Sequence, residues 1–371
     1  MTGFQRFTPL LESLPATVPF VGPETQERQR GATFDARLGA NESGFGPAPS
    51  VIKAMADSAA DAWKYCDAEN YRLRTALSRH LGVPYDAIVI GEGIDGLLGL
   101  IARMIIEAGA PVVTSLGAYP TFNYHVAGFG GRLVTVPYRD DREDLAGLAD
   151  AVRRENAPLV YLANPDNPMG SWWAADEITR FVEALPDTTM LILDEAYGET
   201  APADALPKAD AFLDRPNVVR MRTFSKAYGL AGLRMGYAFG EPSTIKAFDK
   251  IRNHFGINRQ GQIAAEAALK DQAHLVHVVK SVAAARERIG AMARDNGLTP
   301  LPSATNFVAI DCGRDGDFAR AVLSALVKNG VFVRMPGVAP LDRCIRVSTG
   351  PDAELDILQE RLPDALAAAG R

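Results

Sequence analysis

Cysteine is scarce in this chain: Cys66, Cys312 and Cys344 are scattered over 371 residues with no CxxC pair. An odd, dispersed set excludes a disulfide framework and a zinc ribbon and fits a reducing compartment. No block of lysine or arginine occurs, and 39 basic against 45 acidic residues leave a net charge of −6. Neither nucleic acid nor an anionic membrane is therefore expected as a partner. No apolar run approaches the roughly 20 residues that cross a bilayer. The stretch from Met1 to Pro23 lacks the basic start and long apolar centre of a signal peptide, so a cytoplasmic protein is expected. Histidine is sparse too. His274 and His277 share a helix face without an HExxH pattern, and His80, His125 and His254 stand alone, which argues against a metal site or a Ser-His-Asp triad. The GxxxxGK[ST] loop of nucleotide hydrolases is absent.

What is present is an ordinary globular balance, 47% hydrophobic and 23% charged, in a chain long enough for two domains. Residues 1–36 are proline-rich and polar and read as an irregular arm. Helices are predicted over Pro49–Ala56 and Asn70–Leu81. Short apolar strands then alternate with helices: Ala87–Gly91, Val112–Thr114, Arg132–Val136, Leu159–Ala163, Met190–Leu193, Val218–Met221 and Tyr237–Phe239. Near-continuous apolar strands separated by helices predict an α/β fold with a mostly parallel sheet sandwiched by helices. Beyond residue 258 one long helix, Gln262–Asp295, is expected to lead into a smaller α+β body. The chain divides into an arm (1–45, part of the small domain or a dimer contact), a large cofactor-binding domain (46–258) and a small C-terminal domain (259–371).

The central chemical signal is Thr223-Phe224-Ser225-Lys226-Ala227-Tyr228-Gly229, followed by Arg234. A lysine among small and apolar residues loses solvation, its pKa falls, and its amine becomes a nucleophile. Thr223, Ser225 and Arg234 form a phosphate-holding set around it. A Schiff-base lysine beside a phosphate pocket points to pyridoxal 5′-phosphate. Four further motifs follow strands. Gly91-Glu92-Gly93-Ile94-Asp95-Gly96 satisfies GxGxxG, but the next strand ends without the carboxylate that a dinucleotide ribose requires. What remains is a turn whose N–H groups face an anion at a helix start. Tyr119-Pro120-Thr121-Phe122 offers an aromatic for a flat ring. Asn164-Pro165-Asp166-Asn167-Pro168-Met169-Gly170 holds an amide rigidly, because residues before proline are confined to extended geometry. Asp194 ends a buried strand, where ligands of open parallel sheets collect, and can keep a pyridine nitrogen protonated. Tyr197 follows three residues on.

In this order the motifs resemble the fold-type I pyridoxal-phosphate aminotransferases, and among them the histidinol-phosphate aminotransferase family. The likeness runs from Ala40-Asn41-Glu42 through Pro302–Phe307 to Cys344–Gly350. It implies that Lys226 forms the internal aldimine, that Asp194 pairs with the pyridinium, and that Asn167 and Tyr197 hold the phenolate oxygen. Phe122 would stack on the ring. The N–H groups near Gly93, Ile94 and Asp95, with Thr223, Ser225 and Arg234, would hold the phosphate. Tyr65 would reach the cofactor phosphate of a neighbouring subunit, implying a homodimer with shared active sites. Arg346 would clamp a substrate carboxylate, with Arg334 a second candidate for a substrate anion. Two positions depart from the family pattern: Met169 stands where threonine is usual, and Ile94 where a small or hydroxyl residue is common. The expected activity is transfer of an amino group between an amino donor (histidinol phosphate or an aromatic amino acid) and 2-oxoglutarate. The alternative is a decarboxylase or lyase on the same scaffold, similar to threonine-phosphate decarboxylase.

Overall fold

The computed structural model describes residues 7–16 and 21–370. Twelve strands run in chain order: β1 (Ala36–Arg37), β2 (Ile88–Glu92), β3 (Pro111–Ser115), β4 (Arg132–Val136), β5 (Leu159–Ala163), β6 (Met190–Asp194), β7 (Val218–Thr223), β8 (Met235–Gly240), β9 (Thr299–Pro300), β10 (Phe307–Asp311), β11 (Val331–Phe332) and β12 (Cys344–Ser348). Seven form one sheet in the order β2-β8-β7-β6-β5-β3-β4. Within it β3 to β7 are parallel, and only β8 runs antiparallel to its neighbours β2 and β7. β5 and β8 are buried at every residue, as strands covered on both faces must be. Helices Gly93–Ile105 and Pro120–Gly128 pack on one face, and Leu145–Glu155 with Ala175–Ala184 on the other. A smaller three-stranded sheet, β12-β10-β9, carries the C-terminal helices, and β1 pairs in parallel with β11 beside it.

The sheet's directions decide where chemistry can collect. Parallel strands place Glu92, Ser115, Ala163, Asp194 and Thr223 at one edge. Because β8 runs the other way, its first residue joins them: Met235 lies opposite Glu92, and Gly236 opposite Thr223. Arg234, immediately before β8, is thereby delivered to the edge where the other strands finish. Gly236 is required there, since a Cβ on it would come within 2.8 Å of the Gly93 carbonyl carbon and the Ile94 nitrogen.

Two sequence expectations are corrected. The arm is not wholly irregular, because Pro9–Ser13 and Pro23–Arg30 are helical. Thr8 caps the first of these, while a left-handed Gly31 ends the second, as short helices with proline at the first turn commonly do. Val18, Pro19 and Phe20, also read as arm, lie outside the described residues. The long helix from Gln262 is two helices, Arg259–Lys270 and Gln272–Asp295. Asp271 divides them: its side chain accepts the His274 N–H at 3.1 Å and the Ser50 hydroxyl at 2.6 Å, so a capping residue interrupts an otherwise continuous helical pattern. No described helix is long and apolar enough to cross a membrane.

Behind the sheet's chemical edge lies a charged cluster. Glu195 is fully buried; Arg220 Nε donates to Oε1 at 2.9 Å, and Arg222 Nε to Oε2 at 2.8 Å. Arg220 also donates to the Pro207 carbonyl at 2.7 Å. Removing the shared acid leaves a fully buried cation, Arg220, and a largely buried one, Arg222, without their counter-ion. Glu195→Ala is expected to destabilise the fold by about 3–5 kcal/mol, read as a drop in the urea midpoint. A loss below about 1 kcal/mol would show the cluster to be solvated in solution.

Candidate active site

One cavity of about 710 Å³ opens at the edge where the parallel strands finish, and residues from Gly22 to Arg346 line it. Lys226 is half-buried in its wall, on the turn after β7. Its Nζ donates to the Asn41 carbonyl at 3.1 Å and lies 5.6 Å from the centre of the Tyr197 ring. Burial, then the positive charges of Arg346 and Arg234, bring its pKa down to about 8. The amine is therefore largely neutral in mildly alkaline solution, the state a nucleophile or base requires.

Asp194 ends β6 in the same cavity. Its Oδ2 accepts the Tyr161 hydroxyl at 2.8 Å and its Oδ1 the Ala196 N–H at 2.9 Å. Burial dominates and lifts its pKa to about 6, although both hydrogen bonds oppose the shift. At neutral pH it is an anion facing the cavity and suited to a cationic ring nitrogen. The next residue, Glu195, bonds arginines behind the sheet, consistent with the strand pleat turning successive side chains to opposite faces.

The Asn-Pro loop is held from beneath. Asn164 donates to the Ala205 carbonyl at 2.8 Å and accepts the Trp173 N–H at 2.8 Å; Asp166 accepts the Met169 N–H at 3.0 Å and the Tyr138 hydroxyl at 2.8 Å. Asn167 is thus presented rigidly at the cavity. Arg346 Nη1 donates to its Oδ1, which leaves the amide N–H groups for a ligand acceptor. Met169 turns inward instead and packs with Ala309, Leu341 and Cys344 beneath the small sheet, which accounts for an apolar residue at that position.

A phosphate-sized anion has a receptor here. Ile94 and Asp95, in the first turn of helix Gly93–Ile105, line the cavity with Thr223, Ser225 and Arg234. Gly93 has φ +71°, and a Cβ on it would meet Arg234 Nη2 at 2.4 Å, so only glycine lets the guanidinium lie against the turn. Thr223 Oγ1 accepts the Ser225 N–H at 3.0 Å, fixing the hydroxyl turn. Ile94 is buried in the core of the large sheet while its edge meets the cavity, so it contributes a backbone N–H and no polar side chain.

Two further arginines come from the small sheet's side. Arg334 and Arg346 exchange backbone hydrogen bonds across an isolated antiparallel bridge, at 3.2 and 2.6 Å, so their side chains share a face. Both line the cavity. Arg346 Nε is buried with no partner among the described residues. Burial, with the Arg334 charge adding to it, draws the Arg346 pKa down to about 10. A buried guanidinium with spare donors is an open request for an anion.

Phe122 is the correction within the site. It does not line the cavity: it is fully buried, stacked on Tyr161 with centroids 4.7 Å apart at 17°. Helix Pro120–Gly128 turns it into the core and leaves Tyr119, the residue before the helix, at the cavity with its hydroxyl donating to Asp95 at 2.8 Å. Tyr119 stands in the same quoted motif, and its place just outside the helix was the available signal. Tyr65 lies apart as well, 79% exposed against Phe255. Asn41, which sequence reasoning did not single out for a role, sits at the centre of the site's hydrogen bonds.

One family of known proteins resembles this chain over most of its length. The sequence model of the family described as aminotransferase class I and II matches residues 36–362. A histidinol-phosphate aminotransferase of Roseiflexus castenholzii is 36% identical over 97% of this chain and 98% of its own. That of Moorella thermoacetica is 32% identical over 96% of this chain and 92% of its own. The crystal structure of histidinol-phosphate aminotransferase from Sinorhizobium meliloti, in complex with pyridoxal 5′-phosphate, is 64% identical, covers 99% of both chains and superposes with a TM-score of 0.96.

Proposed function

The chain belongs to the class I and II aminotransferases, and on that footing we propose that it transfers the amino group of histidinol phosphate to 2-oxoglutarate with pyridoxal 5′-phosphate as cofactor. The observation that carries this reading is one cavity walled by a lysine of lowered pKa, a strand-end carboxylate and two arginines in register. The cofactor fits the residues present: the Gly93–Arg234 cradle for its phosphate, Asn167 and Tyr197 for its phenolate oxygen, Asp194 for its ring nitrogen, and Tyr119 as the aromatic beside the ring. Bound there, it supplies an electron sink that acidifies the substrate's Cα–H. Lys226, on the cavity wall, would be the amine that holds the cofactor. Its Nζ, when free, would be the base that takes the substrate's Cα proton and later gives a proton back.

Substrate choice falls to the second cationic pair. Arg334 and Arg346 can take a phosphate monoester in one half-reaction and a carboxylate in the other, each by charge-assisted forks. With histidinol phosphate and 2-oxoglutarate, stoichiometric glutamate is expected. Histidinol without its phosphate is expected to lose roughly 10–100-fold in kcat/KM, the worth of one or two hydrogen bonds to a charged group. Equal turnover of an aromatic amino acid, or CO₂ release from phosphothreonine without consumption of 2-oxoglutarate, would remove the assignment while leaving the family intact.

A homodimer belongs to the same reading. Trp63, Tyr65 and Phe255 leave an aromatic surface that a single chain does not cover, and on this reading Tyr65 would reach a neighbour's cofactor phosphate. Sedimentation at the mass of one 39.8 kDa chain would contradict it. A cytoplasmic setting is also part of it, consistent with three free thiols; recovery of the activity in a membrane fraction would end that part.

A further inference from the structure

We propose that Asn41 is a positioning residue of this site: its side-chain amide aims the Tyr197 hydroxyl hydrogen into the cavity while its carbonyl berths the Lys226 amine. The inference rests on the pyridoxal-phosphate reading above and deepens it.

Asn41 is buried and holds φ +54°, a left-handed conformation uncommon for any residue but glycine and tolerated best by asparagine and aspartate. Every polar atom it owns is engaged. Its N–H donates to Ser348 Oγ at 3.0 Å, and the Ser348 hydroxyl donates back to Asn41 Oδ1 at 3.0 Å. With that hydroxyl as the donor, the end of the amide facing Ser348 is the oxygen. Nδ2 is then the donor, and it points to the Tyr197 hydroxyl oxygen at 3.0 Å. The Asn41 carbonyl accepts both Lys226 Nζ at 3.1 Å and Asn306 Nδ2 at 3.0 Å.

A phenol has one hydrogen. With its oxygen already accepting from Asn41, Tyr197 keeps that hydrogen for a partner elsewhere, and the cavity is what it lines. Phe307 meets the ring edge-on at 5.5 Å and restrains its swing. The Asn41 bond also opposes the rise that burial imposes on the hydroxyl's pKa, making Tyr197 a better donor than burial alone would leave it. Asn41 so joins the two groups that must act in concert, the phenol on the turn after β6 and the amine on the turn after β7, through one strained residue anchored to β12.

The test is the pH titration of visible absorbance in the cofactor-loaded protein, a readout independent of turnover. A hydrogen bond donated to the cofactor's phenolate favours loss of the neighbouring nitrogen's proton, so weakening the donor moves the midpoint up. Asn41→Gly keeps the backbone conformation and the carbonyl but deletes the amide. Its midpoint is expected to rise by roughly half to one pH unit, in the direction of Tyr197→Phe but by less. The double variant is expected to match Tyr197→Phe alone. An unmoved midpoint in Asn41→Gly, or a double variant shifted further than Tyr197→Phe, would overturn the proposal. Should Asn41→Gly fail to fold by circular dichroism, Ser348→Ala decides the matter: freeing the amide is expected to raise the midpoint, and an unchanged value overturns the inference. If the wild-type protein binds no chromophore at all, it is the cofactor reading that fails.

Discussion

Lys226→Ala is expected to lose turnover by roughly 10⁴-fold or more and to bind pyridoxal 5′-phosphate without the visible band of the wild type. The size follows from two roles held by one amine. General acid–base transfer alone is worth about 10²–10⁴-fold, and the covalent exchange with the substrate amine adds to it. No second amine stands ready, because among the described residues Lys226 is the only lysine lining the cavity. The same amine gives a pH signature. With its pKa lowered from 10.5 to about 8, the protonated form dominates below that value, and the rate of cofactor uptake by the empty protein should rise about tenfold per pH unit and level off above 8. A rise continuing to pH 10 would mean an ordinary solvated lysine. A variant that kept both the band and the turnover would falsify the assignment outright.

Asp194→Asn is expected to cut kcat by roughly 10³-fold, the scale measured when one electrostatic stabiliser of a developing charge is removed. The asparagine keeps the shape and the Ala196 N–H bond but removes the negative charge, so the ring nitrogen loses the partner that holds its proton. In the wild type the carboxylate is lost as pH falls through about 6, because burial has raised that pKa from 3.8. The acid limb of kcat should therefore fall near pH 6. In Asp194→Asn that limb should disappear, since the group that titrates near pH 6 is gone. Single-turnover absorbance changes separate this effect from substrate binding. A kcat within tenfold of wild type, with the acid limb retained, would place the ring nitrogen against another group.

Much of the large sheet was legible because strands such as β5 and β6 are buried on both faces and read as apolar runs, with a polar residue of chemical use at or soon after their ends. Lys226, Asp194, Asn167 and Arg234 all lie on such junctions, and a parallel sheet gathers its junctions at one edge. What sequence reasoning missed depended on direction rather than composition. Phe122 and Tyr119 stand three residues apart, and only the start of a helix between them decides which faces ligand and which faces core. Asp271 is polar on a helical pattern that otherwise runs on, so its capping role shows only once its side chain is seen turned back to the His274 N–H. Asn41 carries no local signal of a role, for its partners lie 156, 185 and 307 residues away in sequence. Arg334, the second candidate for a substrate anion, is brought beside Arg346 by a bridge that no local pattern announces.

The pairing of β1 with β11 ties the arm to the small sheet, and Arg334 extends that tie by donating to the Val21 carbonyl at 2.8 Å. Gly22, Pro23 and the stretch Arg334–Val338 consequently form one wall of the cavity, physically separate from the β6 and β7 junctions that hold the acid and the lysine. Heredity can act on these two parts independently. On the proposed reading, descendants of such a chain would exchange one amino donor for another by altering that wall, with Lys226 and Asp194 passed on intact.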